Sequence, residues 1–314
     1  MDPKEIKKIA LVGAGTMGPG IAQTFSKAGL EVFLVDLKTE ILDRALEQIR
    51  DNLAVFVELE VLAPSEVEPI LGRIHPTTDM EAACRQADYF MEAVQEVLEL
   101  KQQVHRQADR WCRPEVILAT NASTMRIEPI ACATRRKARV IGTHWVNPPH
   151  IMQLVEVVRG ESTADETVQT VREFLRRVGK APVVCRDTVA YLNNYMQAAL
   201  GKAALELLTQ GVATAEDIDR AVNTGFGFRL PIVGPLAFMD MAGLDNLRDS
   251  WESINRMGGN RGPLPPLILD LVEKGDWGLK TGKGIYDYRG KDVREIAKER
   301  NRLLIRQLKA LGRI

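Results

Sequence analysis

The sequence predicts an α/β protein: a doubly wound, mostly parallel sheet in the first part, followed by an all-α C-terminal domain. Three observations carry that expectation. Short apolar runs alternate with longer amphipathic segments through the first half, a Gly-x-Gly-x-x-Gly turn joins the first run to the first helix, and strand signals almost vanish after Cys185.

The runs at 6–12, 31–36, 89–93, 116–119, 140–144 and 154–158 read as strands, with 182–185 as a last one. Helical spacing of apolar residues fills the intervals at 18–28, 40–59 and 98–111. Beyond 187 helix follows helix, punctuated by Gly and Pro at 225–234, 258–266 and 275–284. The expected domains are therefore 1–186 and 187–314, in line with a length about twice the ~150-residue domain mode. The segment 189–208 is apolar at helical spacing and serves equally as a core helix or as a spine between subunits.

Composition narrows the function classes. With 45% hydrophobic and 27% charged residues, order is expected nearly throughout. Lys+Arg and Asp+Glu are equal at 42 each, so no overall field favours nucleic acid or anionic membranes, and an anionic ligand needs a local site. Cys84, Cys112, Cys132 and Cys185 fit neither a metal-ligand spacing nor a disulfide framework. No run reaches the ~18 apolar residues of a spanning helix, and the short run after Lys8 ends at Gly13, too soon for a secretory signal. The expectation is a cytoplasmic protein without a bound metal.

Gly13, Gly15, Thr16, Met17 and Gly18 form the glycine turn, which follows a strand and opens a helix; Asp36 ends the second strand 18 residues after Gly18. Gly13 permits the tight turn, Gly15 lets backbone approach a pyrophosphate, and Gly18 lets helix and strand pack. The helix N-terminus offers N–H groups and a positive dipole end to the phosphates. The carboxylate of Asp36 suits an unmodified ribose and opposes a 2′-phosphate, which favours NAD over NADP, although Lys38 stands close by. A Rossmann-type NAD-binding domain is the expectation.

His144 ends a predicted strand, on the edge where open α/β sheets bind ligands. Glu156 lies 12 residues on in the returning run, so an antiparallel pairing brings its carboxylate beside the imidazole. Such a pair suits alcohol oxidation: the imidazole takes the hydroxyl proton while a carboxylate holds its tautomer. Read alone, His144 is also compatible with a satisfied structural histidine and Glu156 with a solvated strand acid.

Together these residues resemble the 3-hydroxyacyl-CoA dehydrogenase family. The similarity runs from Gly-Ala-Gly-Thr-Met-Gly-Pro-Gly-Ile-Ala at 13–22, through Glu-Ala-Val-Gln-Glu at 92–96, Asn-Ala-Ser-Thr at 121–124, His-Trp-Val-Asn-Pro at 144–148, Leu-Val-Glu-Val at 154–157 and Asn-Asn at 193–194, to Thr-Gly-Lys-Gly-Ile-Tyr-Asp-Tyr at 281–288. The resemblance implies His144 as general base, Glu156 as its orienting partner, Ser123 as a hydrogen-bond donor to the substrate oxygen and Asn194 as a holder of the reacting carbonyl. It also implies cofactor contacts at Glu96, Lys101 and Asn121, closure of the site behind His144 by Asn147, a homodimer formed through the helical domain, and domain closure on binding. Read without the family, Ser123 serves equally as a helix N-cap ahead of Met125, Asn194 as a structural amide and Lys101 as a solvated lysine.

Two departures divide the reading of the substrate. Family members acting on CoA esters resemble one another in basic residues after the second strand, whereas here no Lys or Arg occurs between Arg50 and Arg73 while Asp51, Glu58, Glu60, Glu66 and Glu68 do. The long run at 225–235, with Arg229, resembles the branch acting on small free hydroxy acids such as L-gulonate and L-carnitine, and Arg229 can fork onto a carboxylate or serve structure alone. The expectation is NAD-dependent oxidation of a short L-3-hydroxyacyl-CoA. The alternatives are a free hydroxy acid or alcohol and, in another class, a non-catalytic NAD-binding protein.

Overall fold

A computed structural model describes residues 2–259 and 262–314. The chain divides into two compact units, Met1–Gly201 and Lys202–Ile314.

The first unit is built on one eight-stranded sheet: β1 (Lys8–Val12), β2 (Glu31–Val35), β3 (Ile74–Thr77), β4 (Tyr89–Glu92), β5 (Ile117–Thr120), β6 (Val140–Trp145), β7 (Leu154–Arg159) and β8 (Ala181–Arg186), in the order β3-β2-β1-β4-β5-β6-β7-β8. The first six are parallel; β7 pairs antiparallel with β6, and β8 runs parallel to β7. The sheet is covered by α1 (Gly18–Lys27), α2 (Thr39–Glu58), α3 (Val67–Leu71), α4 (Met80–Gln86), α5 (Leu98–Trp111), α6 (Glu128–Ala131) and α7 (Asp165–Arg177), with α8 (Asn193–Thr209) following β8. Strands β1, β4, β5 and β6 are buried on both faces and almost wholly apolar, which suits a sheet covered on both sides. One core packs Phe25, Trp145 and Phe174 on one face; the other packs Phe90, Ala108 and Ile130 on the opposite face.

Strand β3 was not expected from the sequence. Its four residues Ile-His-Pro-Thr include Pro76, which withholds a ladder donor, and only an edge position such as the one β3 occupies tolerates that. Residues 189–192 also differ from expectation: the helix starts at Asn193, and Ala190 and Tyr191 before it have φ of +65° and +51°.

The second unit comprises α9 (Ala215–Thr224), α10 (Phe226–Arg229), α11 (Pro235–Ala242), α12 (Leu244–Arg256), α13 (Pro266–Glu273) and α14 (Val293–Ala310). Leu244, Ile268 and Val272 form its small core. Asp240, fully buried, accepts from the backbone N–H groups of Ile285 (2.9 Å) and Tyr286 (2.8 Å), tying the 281–288 segment to α11.

The glycine turn shows why its three glycines are not equivalent. A Cβ at Gly18 would sit 2.0 Å from the Gly13 carbonyl oxygen, and one at Gly13 would sit 2.6 Å from the Ala93 carbonyl oxygen, whereas one at Gly15 meets nothing within 4 Å. Gly18→Ala is therefore expected to cost roughly 1–3 kcal/mol through overpacking, read as a lower unfolding midpoint. Gly15→Ala is expected to leave the midpoint unchanged and to weaken NADH binding. Equal loss of stability in both variants would refute this division.

Candidate active site

Because β1, β4, β5 and β6 are parallel, the residues at their C-terminal ends share one sheet edge: Gly13 after β1, Glu92 in β4, Asn121 after β5 and His144 in β6. Strand order reverses between β1 and β4, the kind of crevice in which doubly wound sheets receive ligands. Beside it, α1 opens without a side-chain cap, and the space above Gly15 is clear. Asp36, at the end of β2, accepts from the Ala14 N–H (2.8 Å) through Oδ2 and so sits against the glycine turn. These features fit a dinucleotide, with its pyrophosphate over Gly15 and a ribose beside Asp36.

The antiparallel register places His144 directly opposite Glu156. The carboxylate Oε2 lies 2.6 Å from the imidazole Nδ1, and both residues are buried, at 5% and 0% exposure. With Nδ1 donating to a carboxylate, Nε2 keeps the lone pair of the neutral ring. The other oxygen, Oε1, accepts from the backbone N–H of Leu192 (2.9 Å) and of Asn193 (2.8 Å) at the start of α8. Burial pushes the Glu156 carboxyl upward, but the hydrogen bonds from His144 and from these two N–H groups outweigh it, and the net shift is below the usual carboxylate range. A carboxylate shifted in this direction stabilises the fold above its ordinary pKa, and that contribution disappears as pH falls through the lowered one.

Around this pair Asn194, Ser123, Glu96 and Lys101 are linked by hydrogen bonds and an ion pair, whereas Asn147 and Arg229 are not among them. Asn194 donates from Nδ2 to the Ser123 carbonyl (3.2 Å), and the N–H groups of Ser123 (2.7 Å) and Thr124 (2.9 Å) donate to Glu96 Oε1. Asn121 receives the Trp145 N–H on its side-chain oxygen (2.9 Å), locking the residue after His144. Ser123 caps no helix: α6 begins only at Glu128, with Ile127 at the cap position, so the N-cap reading falls. Lys101 is not a solvated lysine either. Fully buried, its ammonium lies 3.0 Å from Glu92 and 3.4 Å from Glu96, which neutralise it. Burial raises the Glu96 carboxyl, yet the Thr124 N–H, the Lys101 charge and the Ser123 N–H bring it below its ordinary value. Asn147 is exposed on the loop after β6, in a cis peptide with Pro148. In the second unit, the Arg229 guanidinium stacks 3.5 Å from the Phe238 ring centroid.

Two contributors have no assigned role in the sequence reading. Glu92 is fully buried in β4 and also accepts from the Thr120 hydroxyl and the Val94 N–H. An acid ending an otherwise apolar strand is the signal that marks it. Tyr191 packs its ring 5.5 Å from that of His144 and donates its hydroxyl to the Met125 carbonyl (2.5 Å), fixing the turn from which Leu192 and Asn193 reach Glu156.

The family model of the 3-hydroxyacyl-CoA dehydrogenase NAD binding domain matches residues 8–188, and that of the C-terminal domain residues 191–288. The chain belongs to the 3-hydroxyacyl-CoA dehydrogenase family. It is accordingly an oxidoreductase of CH–OH groups with NAD as cofactor. A probable 3-hydroxybutyryl-CoA dehydrogenase of Bacillus subtilis is 36% identical over 288 residues, 91% of this chain and 99% of that one. The 5-formyl-3-hydroxy-2-methylpyridine 4-carboxylate 5-dehydrogenase of Mesorhizobium japonicum is 33% identical over 301 residues, 96% of each chain. The crystal structure of a 3-hydroxyacyl-CoA dehydrogenase from Archaeoglobus fulgidus superposes with a TM-score of 0.81 at 34% identity, covering 98% of this chain and 99% of that one.

Ala190 holds a left-handed conformation that disfavours a Cβ. Ala190→Gly is expected to relieve part of that strain, on the order of 0.5–1 kcal/mol, and to raise the unfolding midpoint; a lower midpoint would show that the turn is not strained.

Proposed function

We propose that this chain oxidises the 3-hydroxyl of a short L-3-hydroxyacyl-CoA, of which 3-hydroxybutyryl-CoA is the representative, to the 3-oxo thioester, reversibly and with NAD. The observation that carries this reading is the buried His144–Glu156 pair, at 2.6 Å, on the sheet edge that also bears the glycine turn. The names of the Bacillus subtilis and Archaeoglobus fulgidus relatives support the thioester.

Bound NAD supplies the acceptor for the hydride that leaves C3. His144 Nε2 takes the hydroxyl proton, and Glu156 keeps Nδ1 protonated and stabilises the imidazolium that forms. The Ser123 hydroxyl and the Asn194 amide direct hydrogen bonds at the substrate oxygen and hold it toward His144. Glu96 and Lys101, with Asn121 beneath them, shape the cofactor end of the crevice, and Asn147 closes it behind His144. Residues 1–186 act as the NAD-binding domain and 187–314 as the substrate and dimerisation domain. Tyr195, Met196, Leu200 and Leu205, all exposed on α8 in the single chain, support a homodimer. Cytoplasmic residence belongs to the same proposal, supported by four free cysteines; no described helix is long and apolar enough to cross a membrane.

A second reading, a small free hydroxy acid or alcohol as substrate, is favoured by one observation. Asp51, Glu58, Glu60, Glu66 and Glu68 are all exposed along α2, the segment after it and α3, and among the described residues only Glu68 has a basic partner there, Arg50 (3.5 Å), so this stretch repels an anionic tail. The name of the Mesorhizobium japonicum relative, a carboxylate without CoA, agrees with it, and Arg229 is then the candidate for the substrate carboxylate.

His144→Gln is expected to retain NADH binding and to lose roughly 10²–10⁴-fold in turnover, and Glu156→Gln roughly 10–100-fold. Undiminished turnover in the first variant would refute the base assignment. Steady-state assays on 3-hydroxybutyryl-CoA beside 3-hydroxybutyrate, L-carnitine and L-gulonate separate the two substrates: saturable turnover confined to a free acid would replace the first reading with the second.

A further inference from the structure

The first unit buries two lysines in opposite circumstances. Lys101 is neutralised by Glu92 and Glu96. Lys180, at 9% exposure, directs its ammonium at two backbone carbonyls, Pro149 (2.6 Å) and Met152 (2.9 Å), and has no carboxylate partner among the described residues. An ammonium has three donors, so one remains beyond those two carbonyls. Lys180 lines a cavity of about 370 Å³ bounded by α1, α2, the β6–β7 loop and the turn between α7 and β8. Lys27 and Arg177 line it too, with His150, Thr24 and Gln153 among the polar walls, and no Asp or Glu does. Burial and the neighbouring Lys27 charge bring the Lys180 ammonium down to about 8.

A buried cation without a counter-charge is costly, and a bound anion removes that cost. Lys27 is exposed, its ammonium 4.7 Å from the Phe56 ring centroid, while the Arg177 guanidinium is anchored by the Pro3 and Ile6 carbonyls. The cavity wall at His150 belongs to the loop that continues directly from His144 and Trp145, and the Lys180 ammonium lies 5.1 Å from the Trp145 ring centroid.

We infer that the cavity formed by Lys27, Arg177 and Lys180 is an anion site that takes a phosphate or phosphoester group. The group comes either from the nucleotide tail of a CoA thioester, a source that rests on the function proposed above, or from free phosphate.

Calorimetry with inorganic phosphate, run with NADH at saturation so that the glycine turn is already filled, tests the site without turnover. Phosphate is expected to bind the wild type, and Lys27→Glu and Lys180→Met are each expected to weaken it at least about tenfold, as loss of a charge-assisted contact does. Kinetics then identify the source. If it is the thioester tail, Lys27→Glu raises KM for 3-hydroxybutyryl-CoA about tenfold with kcat unchanged, and leaves KM for the phosphate-free 3-hydroxybutyryl pantetheine thioester unaltered. If phosphate binding is lost in the variant while KM for both esters stays the same, the site serves a free anion. Absence of phosphate binding in the wild type together with an unchanged KM in Lys27→Glu overturns the inference. Should neither ester turn over, the proposed function fails while calorimetry still decides the cavity.

Discussion

A carboxylate without water has to be matched on both oxygens, and Glu156 shows what that demands of a fold. Its Oε2 is met by His144 and its Oε1 by two backbone N–H groups of the 192–193 turn. Neither partner is local: the first depends on the reversal of strand direction between β6 and β7, the second on chain 36 residues further along. If either fails, the charge is left uncompensated in a low-dielectric place, at a cost of several kcal/mol. The sheet edge, the left-handed turn at Ala190 and Tyr191 and the start of α8 are thus coupled through one side chain.

The same logic recurs at Glu92, where Lys101, the Thr120 hydroxyl and the Val94 N–H surround a second buried carboxylate. Lys101 also leans on Glu96, whose other oxygen gathers the N–H groups of Ser123 and Thr124. Asn194 then reaches from α8 to the Ser123 carbonyl. Glu96, Ser123 and Asn194 thus tie the segments after β4 and β5 to the start of α8 through hydrogen bonds. The open space above Gly15 stands out against this packed surrounding, because backbone is exposed to a ligand there and nowhere crowded by protein.

Charge is distributed unevenly in a chain whose total is zero. Acids cover the outer turns of α2, and cations gather at the cavity beside the β6–β7 loop. Net charge says nothing about this separation, since local fields arise from which residues folding brings within a few ångströms. Whether a thioester or a free acid is the better ligand depends on those local fields.

The sequence by itself determined what depends on neighbours along the chain. The glycine turn is legible because strand, turn and helix are consecutive, and His144 and Glu156 as a candidate pair because two successive strand-like runs 12 residues apart suit an antiparallel return, while their register is set by the sheet. The short edge strand at Ile74–Thr77 stayed hidden because Pro76 erases its local signal. The tertiary structure alone decided the partners of buried charge: Glu92 with Lys101, Leu192 and Asn193 with Glu156, and Lys180 with carbonyls instead of an acid. Those pairings are set by where the backbone is excluded from water, and that exclusion comes from helices and strands remote in sequence, to which no local pattern refers.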